Sequence, residues 1–264
     1  MIKKILPSLL ILNILTPLLI QASDTVELAK KLANPIAAMI SIPVQINYDY
    51  NIGENEGKRT LVNFQPVVPF HITENYNLIG RLVMPIIKQD DVTAPNESQT
   101  MLGNSLLSLF VSPVKPIDGW IIGAGIAVNL PTSTDTDVMP DVSSVGPTAI
   151  VLHQMDGFTI GALANHLISF AGYDSHTKVN TTYLQPFISY TTSAATTYTI
   201  ESETTYDWEN SKIDLPINLT VGQVLKLGTH IISVTGGLRY WAESELTQTD
   251  SVGFRFAFTY LLPE

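Results

Sequence analysis

The side chains in this chain best suited to chemistry are a histidine and a serine three residues apart, in Asn165-His166-Leu167-Ile168-Ser169. A serine activated by a histidine is the core of nucleophilic hydrolysis, provided the two share a hydrogen bond. In a β-strand, however, successive side chains alternate between faces, so positions an odd number apart point opposite ways. The pair therefore reads as one strand histidine and one strand serine, and no catalytic residue is expected. The other histidines, His71, His153, His176 and His230, are scattered without metal-ligand spacing. Cysteine is absent, which removes disulfides, thiolate metal sites and cysteine nucleophiles. No metal and no cofactor is expected.

Fixed charges offer a different kind of chemistry. Arg81, Arg239 and Arg255 fall on one set of segments, and Glu201, Glu203 and Asp207 on another. Arranged around a pore, such rings set field and selectivity; paired with one another, they fill the space instead. The sequence leaves both arrangements open. Asp49 and Arg59 flank a short loop symmetrically and are expected to pair across two strands. With Gln45, Asn47, Asn63 and Gln65 these residues form the expected polar lining of a lumen. A second acidic group lies in the loops: Glu54, Glu56, Asp90, Asp91, Glu97, Asp135, Asp137, Asp141, Asp174, Glu243, Glu245 and Asp250. It reads as a solvated rim, or as an acidic mouth that repels anions and bridges through divalent ions to lipopolysaccharide phosphates.

The elements that must carry these side chains follow from composition. The 264 residues hold 14 basic and 24 acidic side chains, a formal charge of -10. That is the reverse of the basic surface a nucleic-acid partner requires. Hydrophobic residues make up 45% and charged ones 14%. Past the amino terminus no run approaches the roughly 18 apolar residues of a membrane helix. A chain this apolar without an apolar helix points to membrane strands. At the start, Lys3-Lys4, an apolar stretch over 5–20 and the small residues Ala22 and Ser23 read as a secretory leader over 1–22. Its loss leaves 12 basic residues (14 less Lys3 and Lys4) against 24 acidic ones. Ser23 and Asp24 then open, and Lys30 and Lys31 close, a short helix within 23–38 that Asn34-Pro35 ends.

From residue 39 to 264 the period is two. Ile40, Ile42, Val44, Ile46, Tyr48 and Tyr50 oppose Ser41, Pro43, Gln45, Asn47 and Asp49. Phe254, Phe256, Phe258 and Tyr260 oppose Arg255, Ala257 and Thr259 in the same way. The pattern predicts twelve strands, near 39–50, 59–70, 76–87, 102–113, 119–130, 145–155, 158–170, 179–191, 194–208, 213–226, 229–242 and 252–262. Parity is blurred in 102–113 and 145–155, where both faces are largely apolar. Aromatic residues at strand ends (Tyr48, Tyr50, Tyr206, Trp208, Tyr240 and Trp241) suit membrane girdles. Connections alternate between longer ones (51–58, 88–101, 131–144, 171–178, 209–212, 243–251) and tight ones such as Met155-Asp156-Gly157. The fold expected is all-β: a transmembrane antiparallel barrel of about twelve strands, preceded by a short periplasmic helix. An even strand number places both termini in the periplasm.

Residues 28–50 (LAKKLANPIAAMISIPVQINYDY), 161–172 (GALANHLISFAG), 183–192 (YLQPFISYTT), 206–228 (YDWENSKIDLPINLTVGQVLKLG) and 237–243 (GLRYWAE) carry a further signal. In these segments the chain resembles a family of bacterial outer-membrane proteins labelled MetA-pathway of phenol degradation, or transporter. The resemblance covers nearly the whole mature chain and implies an outer-membrane barrel with a part in uptake of small apolar or aromatic compounds. It carries no catalytic residue. The expectation is a passive, non-enzymatic channel in the outer membrane of a Gram-negative bacterium. The alternatives are a structural or surface-binding barrel and, behind it, an outer-membrane lipid hydrolase. Expected partners are outer-membrane lipid and lipopolysaccharide, a small-molecule solute, and the barrel-assembly machinery during biogenesis.

Overall fold

In the computed structural model the described residues are 24–174 and 177–262. The expected leader and Ser23 lie outside them. Fifteen strand segments make twelve barrel strands, because three strands are interrupted once each (15 − 3 = 12). They are β1 (Ile40–Ile52), β2 (Gly57–Phe64 and Val67–His71), β3 (Tyr76–Asp90), β4 (Ser98–Leu102 and Ser105–Pro113), β5 (Trp120–Leu130) and β6 (Ser143–Met155). The second half comprises β7 (Phe158–Ala171), β8 (Asn180–Thr191), β9 (Thr196–Ser202 and Thr204–Asp207), β10 (Lys212–Leu227), β11 (His230–Ser244) and β12 (Val252–Leu262).

Every strand is antiparallel to the next, and β12 returns to β1 in a register running from Ile40↔Leu262 to Tyr48↔Phe254. Closure leaves no sheet edge. In hydrocarbon an unpaired N–H or C=O costs several kcal/mol, and only a closed ring gives every one a partner. The alternation in the sequence becomes two surfaces. Phe256 is 55% exposed on the outside, whereas its neighbour Arg255 is 3% exposed inside. Ile126, Val234 and Leu219 share the outer face with Phe256, a large apolar surface that water would not tolerate and lipid would cover.

Aromatic residues bound that surface at both ends. At the end where the chain enters and leaves, Phe158 packs on Tyr190, Trp120 on His153 and His230 on Tyr260. At the far end, Tyr48 packs on Tyr50 and Tyr206 on Trp208. His230 and Tyr240 mark the two girdles on β11; ten residues at ~3.3 Å each is roughly 33 Å of strand, or about 25 Å of height at a ~40° tilt. Trp241 departs from the girdle expected of it. It follows the parity of Arg239 and turns inward, 7% exposed.

Turns at the terminal end run from the two-residue Asp156-Gly157 to residues 114–119, while the far end carries 131–142 and 172–179. Asp156 and Gly157 both have positive φ (49° and 87°), the left-handed pair that a two-residue hairpin demands. One expected loop is shorter than the sequence indicates. Within 88–101, β3 continues to Asp90 and pairs with β4 from Ser98, with Gln89 Nε2 donating to Gln99 Oε1 at 2.7 Å. These polar strand residues project past the apolar band, so hydropathy does not mark them.

Before β1, helix α1 covers residues 24–32. With residues 33–39 it lies across the lumen at the terminal end. Ala29, Ala37 and Met39 pack against Val224, Ile231 and Leu261 of β10–β12 and Ala195 of the β8–β9 turn. Ile36 reaches the opposite wall, among Phe110, Ile150, Leu152, Leu163 and Phe187. Gln154 of β6 donates to the Lys30 carbonyl at 2.8 Å.

Candidate functional site: the lumen

The inner face divides into two walls. From β2 to β8 it carries an apolar cluster: Val67, Ile79, Phe110, Ile150, Leu152, Leu163 and Phe187, closed by Ile36. In 102–113 and 145–155 the parity is clearer than the sequence indicates, because Ser108, Ser112, Ser144 and Thr148 join Phe110, Ile150 and Leu152 on the inward face while the outward face is apolar. Gly123 of β5 supplies the space for the closing contact. A β-carbon there would lie 2.7 Å from Ile36 Cδ1 and 3.1 Å from Ile150 Cγ2, so any larger residue would require these side chains to shift.

From β9 round to β2 the inner face is charged. Glu201 and Glu203 stand on successive inward positions of β9, Arg239 on β11, Arg255 on β12, Asn47 and Asp49 on β1, and Arg59 on β2. Arg255 is the hub. Its Nη1 meets Glu201 Oε1 at 2.6 Å, its Nη2 meets Glu203 Oε2 at 2.5 Å, and its Nε donates to Asn47 Oδ1 at 2.8 Å. Arg239 Nη1 lies 3.2 Å from the same Glu203 oxygen and 4.5 Å over the Trp241 ring, a cation–π contact. Asp49, 1% exposed, accepts from Trp241 Nε1 at 3.0 Å and faces Arg239 at 3.7 Å and Arg59 at 3.8 Å.

Local chain chemistry helps build this cluster. Pro186 on β8 and Pro216 on β10 lack the N–H that would bond β9, and β9 is interrupted there, at Glu203. Glu203 N still donates to the Pro216 carbonyl at 3.3 Å. A bulge in β11, between the Leu215↔Glu243 and Pro216↔Trp241 pairs, accompanies the inward Trp241. Trp241 was missed as a lumen residue, although its even spacing from Arg239 was the signal.

Of the two arrangements the sequence left open, opposed rings or ion pairs, these distances correspond to ion pairs. The Asp49–Arg59 pair across β1 and β2 forms, in register and at the long distance above. Arg81 sits apart from the cluster, its Nη2 donating to Gln65 Oε1 at 2.9 Å. Gln45 and Asn63 face each other in the β1–β2 register below the charges. Asp207 does not join them. Its carboxylate accepts from the Glu209 and Asn210 amides and from Asn210 Nδ2, capping the 208–211 turn at the far rim.

Between the plug and the charge cluster lies a cavity of about 270 Å³. Ser41, Gln45, Ser189, Thr197, Thr199 and Ser233 are among its polar lining, with Pro43, Val67, Phe187 and Ala257 beside them.

Outside the lumen, several rim acids are spent on their own loops: Asp91 accepts from Asn96 N at 2.6 Å, Asp135 from Val138 N at 3.2 Å and Asp174 from Thr177 N at 2.9 Å. Among the described residues no three His, Asp or Glu side chains converge as metal ligands. His166 and Ser169 point to opposite faces. His166 Nδ1 meets Thr182 Oγ1 at 2.9 Å, while Ser169 Oγ accepts from Val179 N at 3.2 Å.

Solved structures share this architecture. The COG4313 outer membrane channel from Pseudomonas putida F1 matches with a TM-score of 0.66 at 11% identity, covering 85% of this chain and 96% of that one. The fold is that of an outer-membrane barrel. Outer membrane phospholipase A from Escherichia coli matches with a TM-score of 0.52 at 10% identity, covering 84% and 90%. At such identities the likeness extends to the fold alone. No protein-family profile matches the chain, and no curated protein does.

Proposed function

We propose that this chain is a passive outer-membrane channel for small apolar or aromatic molecules. The observation that carries the reading is the closed ring itself: apolar outside between two aromatic girdles, and holding a cavity with both hydroxyl and apolar lining inside. The resemblance to the MetA-pathway of phenol degradation family supports the solute class, and the channel of like fold supports the mode of action. The short-turn end, with the plug and both termini, faces the periplasm; the longer acidic loops face outward, toward lipopolysaccharide. Folding into the membrane calls on the barrel-assembly machinery. Passage requires residues 24–39 to shift, since they span the terminal mouth.

Swelling of liposomes in neutral solutes of graded size tests this. Entry of the smallest solutes above the rate of empty liposomes is expected. No entry would reject the channel. A second reading, a non-transporting structural barrel, is favoured by one specific observation: the plug and the mutually paired charges occupy much of the lumen. It is the outcome left standing if swelling fails while the protein still folds into the bilayer.

A further inference from the structure

One lumen arginine differs from the others in its partner. Asp49, Glu201 and Glu203 pair with Arg59, Arg239 and Arg255. Among the described residues no carboxylate lies within 4.0 Å of Arg81, and its guanidinium donates to the neutral Gln65. Arg81 lines the cavity. So does Lys31 from the plug, whose ammonium likewise has no carboxylate that close among the described residues. Of the cations on the cavity walls, Arg255 is engaged by Glu201 and Glu203 and Lys31 is exposed, which leaves Arg81 as the half-buried one with no carboxylate within 4.0 Å among the described residues.

Two further features mark the cavity as a receiving site. Ser189 Oγ is buried and without a hydrogen-bond partner among the described residues, and the side chain lines the cavity. Buried polar atoms are nearly always satisfied, so this hydroxyl, which can donate to a carboxylate, points to a group supplied from outside. Beside them the wall is apolar. Phe187 lies between Gln185 and Ser189 on the inward face of β8, and Val67 is the direct cross-strand neighbour of Arg81. A guanidinium presents a fork that fits both oxygens of a carboxylate.

We infer that the chamber binds a small organic monocarboxylate, its carboxylate on Arg81 and its apolar body against Val67 and Phe187. At about 270 Å³ the space suits a compact acid of about ten heavy atoms, and Arg81 offers charge for one negative group only. The acidic rim and Arg81 then act in series: the rim repels polyanions, and Arg81 retains a single negative charge. This deepens the channel reading by naming the solute, and for its physiological meaning it rests on that reading.

Titration calorimetry of the full chain folded in detergent tests it, with benzoate and its neutral near-isostere benzyl alcohol as probes. Benzoate is expected to bind and benzyl alcohol to bind far more weakly. Arg81→Gln should weaken benzoate about tenfold or more, as for loss of charge-assisted hydrogen bonds, and leave benzyl alcohol unchanged. Arg81→Lys, which keeps the charge, should recover part of the loss and serves where Arg81→Gln fails to fold. Equal binding of the two probes, no binding of benzoate, or benzoate binding indifferent to both substitutions would overturn the proposal. Binding is read without flux, so benzoate binding in a barrel that passes no solute would retain the chamber and reject the channel.

Discussion

The two walls of the lumen solve the same problem by opposite means. Between β2 and β8 the inner surface carries a buried apolar cluster, and this needs an apolar cover, which Ile36 provides through the gap at Gly123. Between β9 and β2 the inner surface carries charge, and each buried carboxylate is met by an arginine, a tryptophan N–H or an amide. The apolar cluster is covered by a separate segment of chain, which also packs on Val224, Ile231 and Leu261; the charged side chains hold one another. A barrel built this way can expose one wall when its plug shifts while the other keeps the ring rigid.

The largest effect expected from breaking that contrast comes from the charged wall. Arg255→Gln would strand Glu201 and leave Glu203 with Arg239 alone, and removing one partner of a buried pair costs about 3–5 kcal/mol. The loss should appear as a lower urea midpoint for unfolding from detergent micelles. Arg255→Met combined with Glu201→Gln should recover most of it, since Glu203 keeps Arg239 and no carboxylate is left without a cation. A double variant no more stable than the single one would mean the wall is not held by these pairs.

The apolar wall should respond differently. Gly123→Val places a branched side chain where Ile36 Cδ1 now lies, an overpacking of about 1–3 kcal/mol that falls on the plug and not on the ring. Limited proteolysis should cut residues 24–39 faster in the variant. The heat-dependent mobility shift of the folded barrel should stay as in the parent. Loss of the mobility shift itself would contradict the separation of the two walls.

The smallest effect lies outside both. At the far rim Lys178 Nζ meets Glu209 Oε1 at 2.8 Å, tying loop 172–179 to loop 208–211. The hydrogen bond between them holds the Glu209 carboxyl below its ordinary range and the Lys178 ammonium above its own. The carboxylate's contribution is present above its unfolded pKa and is lost as pH falls through the lowered one. The ammonium's is present below its unfolded pKa and is lost as pH rises through the raised one. Cleavage near residue 178 should therefore be slowest at neutral pH and modestly faster in acid and in strong base. Glu209→Gln should flatten the acid side, and an unchanged profile would remove the tie.

Much of the ring could be read from the sequence because parity is a local property. Gln45, Asn47 and Asp49 on one face of β1, with Ile46 and Tyr48 on the other, need only a strand to be placed correctly. Partnerships were harder. Glu201 and Arg255 are 54 residues apart, with two strands between them, so no local pattern links them. Trp241 looked like a girdle residue because aromatic type was weighed above its spacing from Arg239. The apolar cluster was harder, because Phe110, Ile150 and Leu152 have apolar outward neighbours and no local polarity marks them as inward. Its meaning depends on Ile36, more than 60 residues earlier in the chain. The plug's place in the lumen, as opposed to beside it, follows from contacts that begin only once the ring has closed.

Residues 24–39 stop the lumen by packing on both sides of it, Ile36 on β2–β8 and Ala29, Ala37 and Met39 on β10–β12. Planar-bilayer recording of the chain with and without those residues tests this directly. A small or closed conductance in the complete chain and a several-fold larger, steadily open one in the shortened chain are expected. Equal conductance in the two, with both folded, would contradict it.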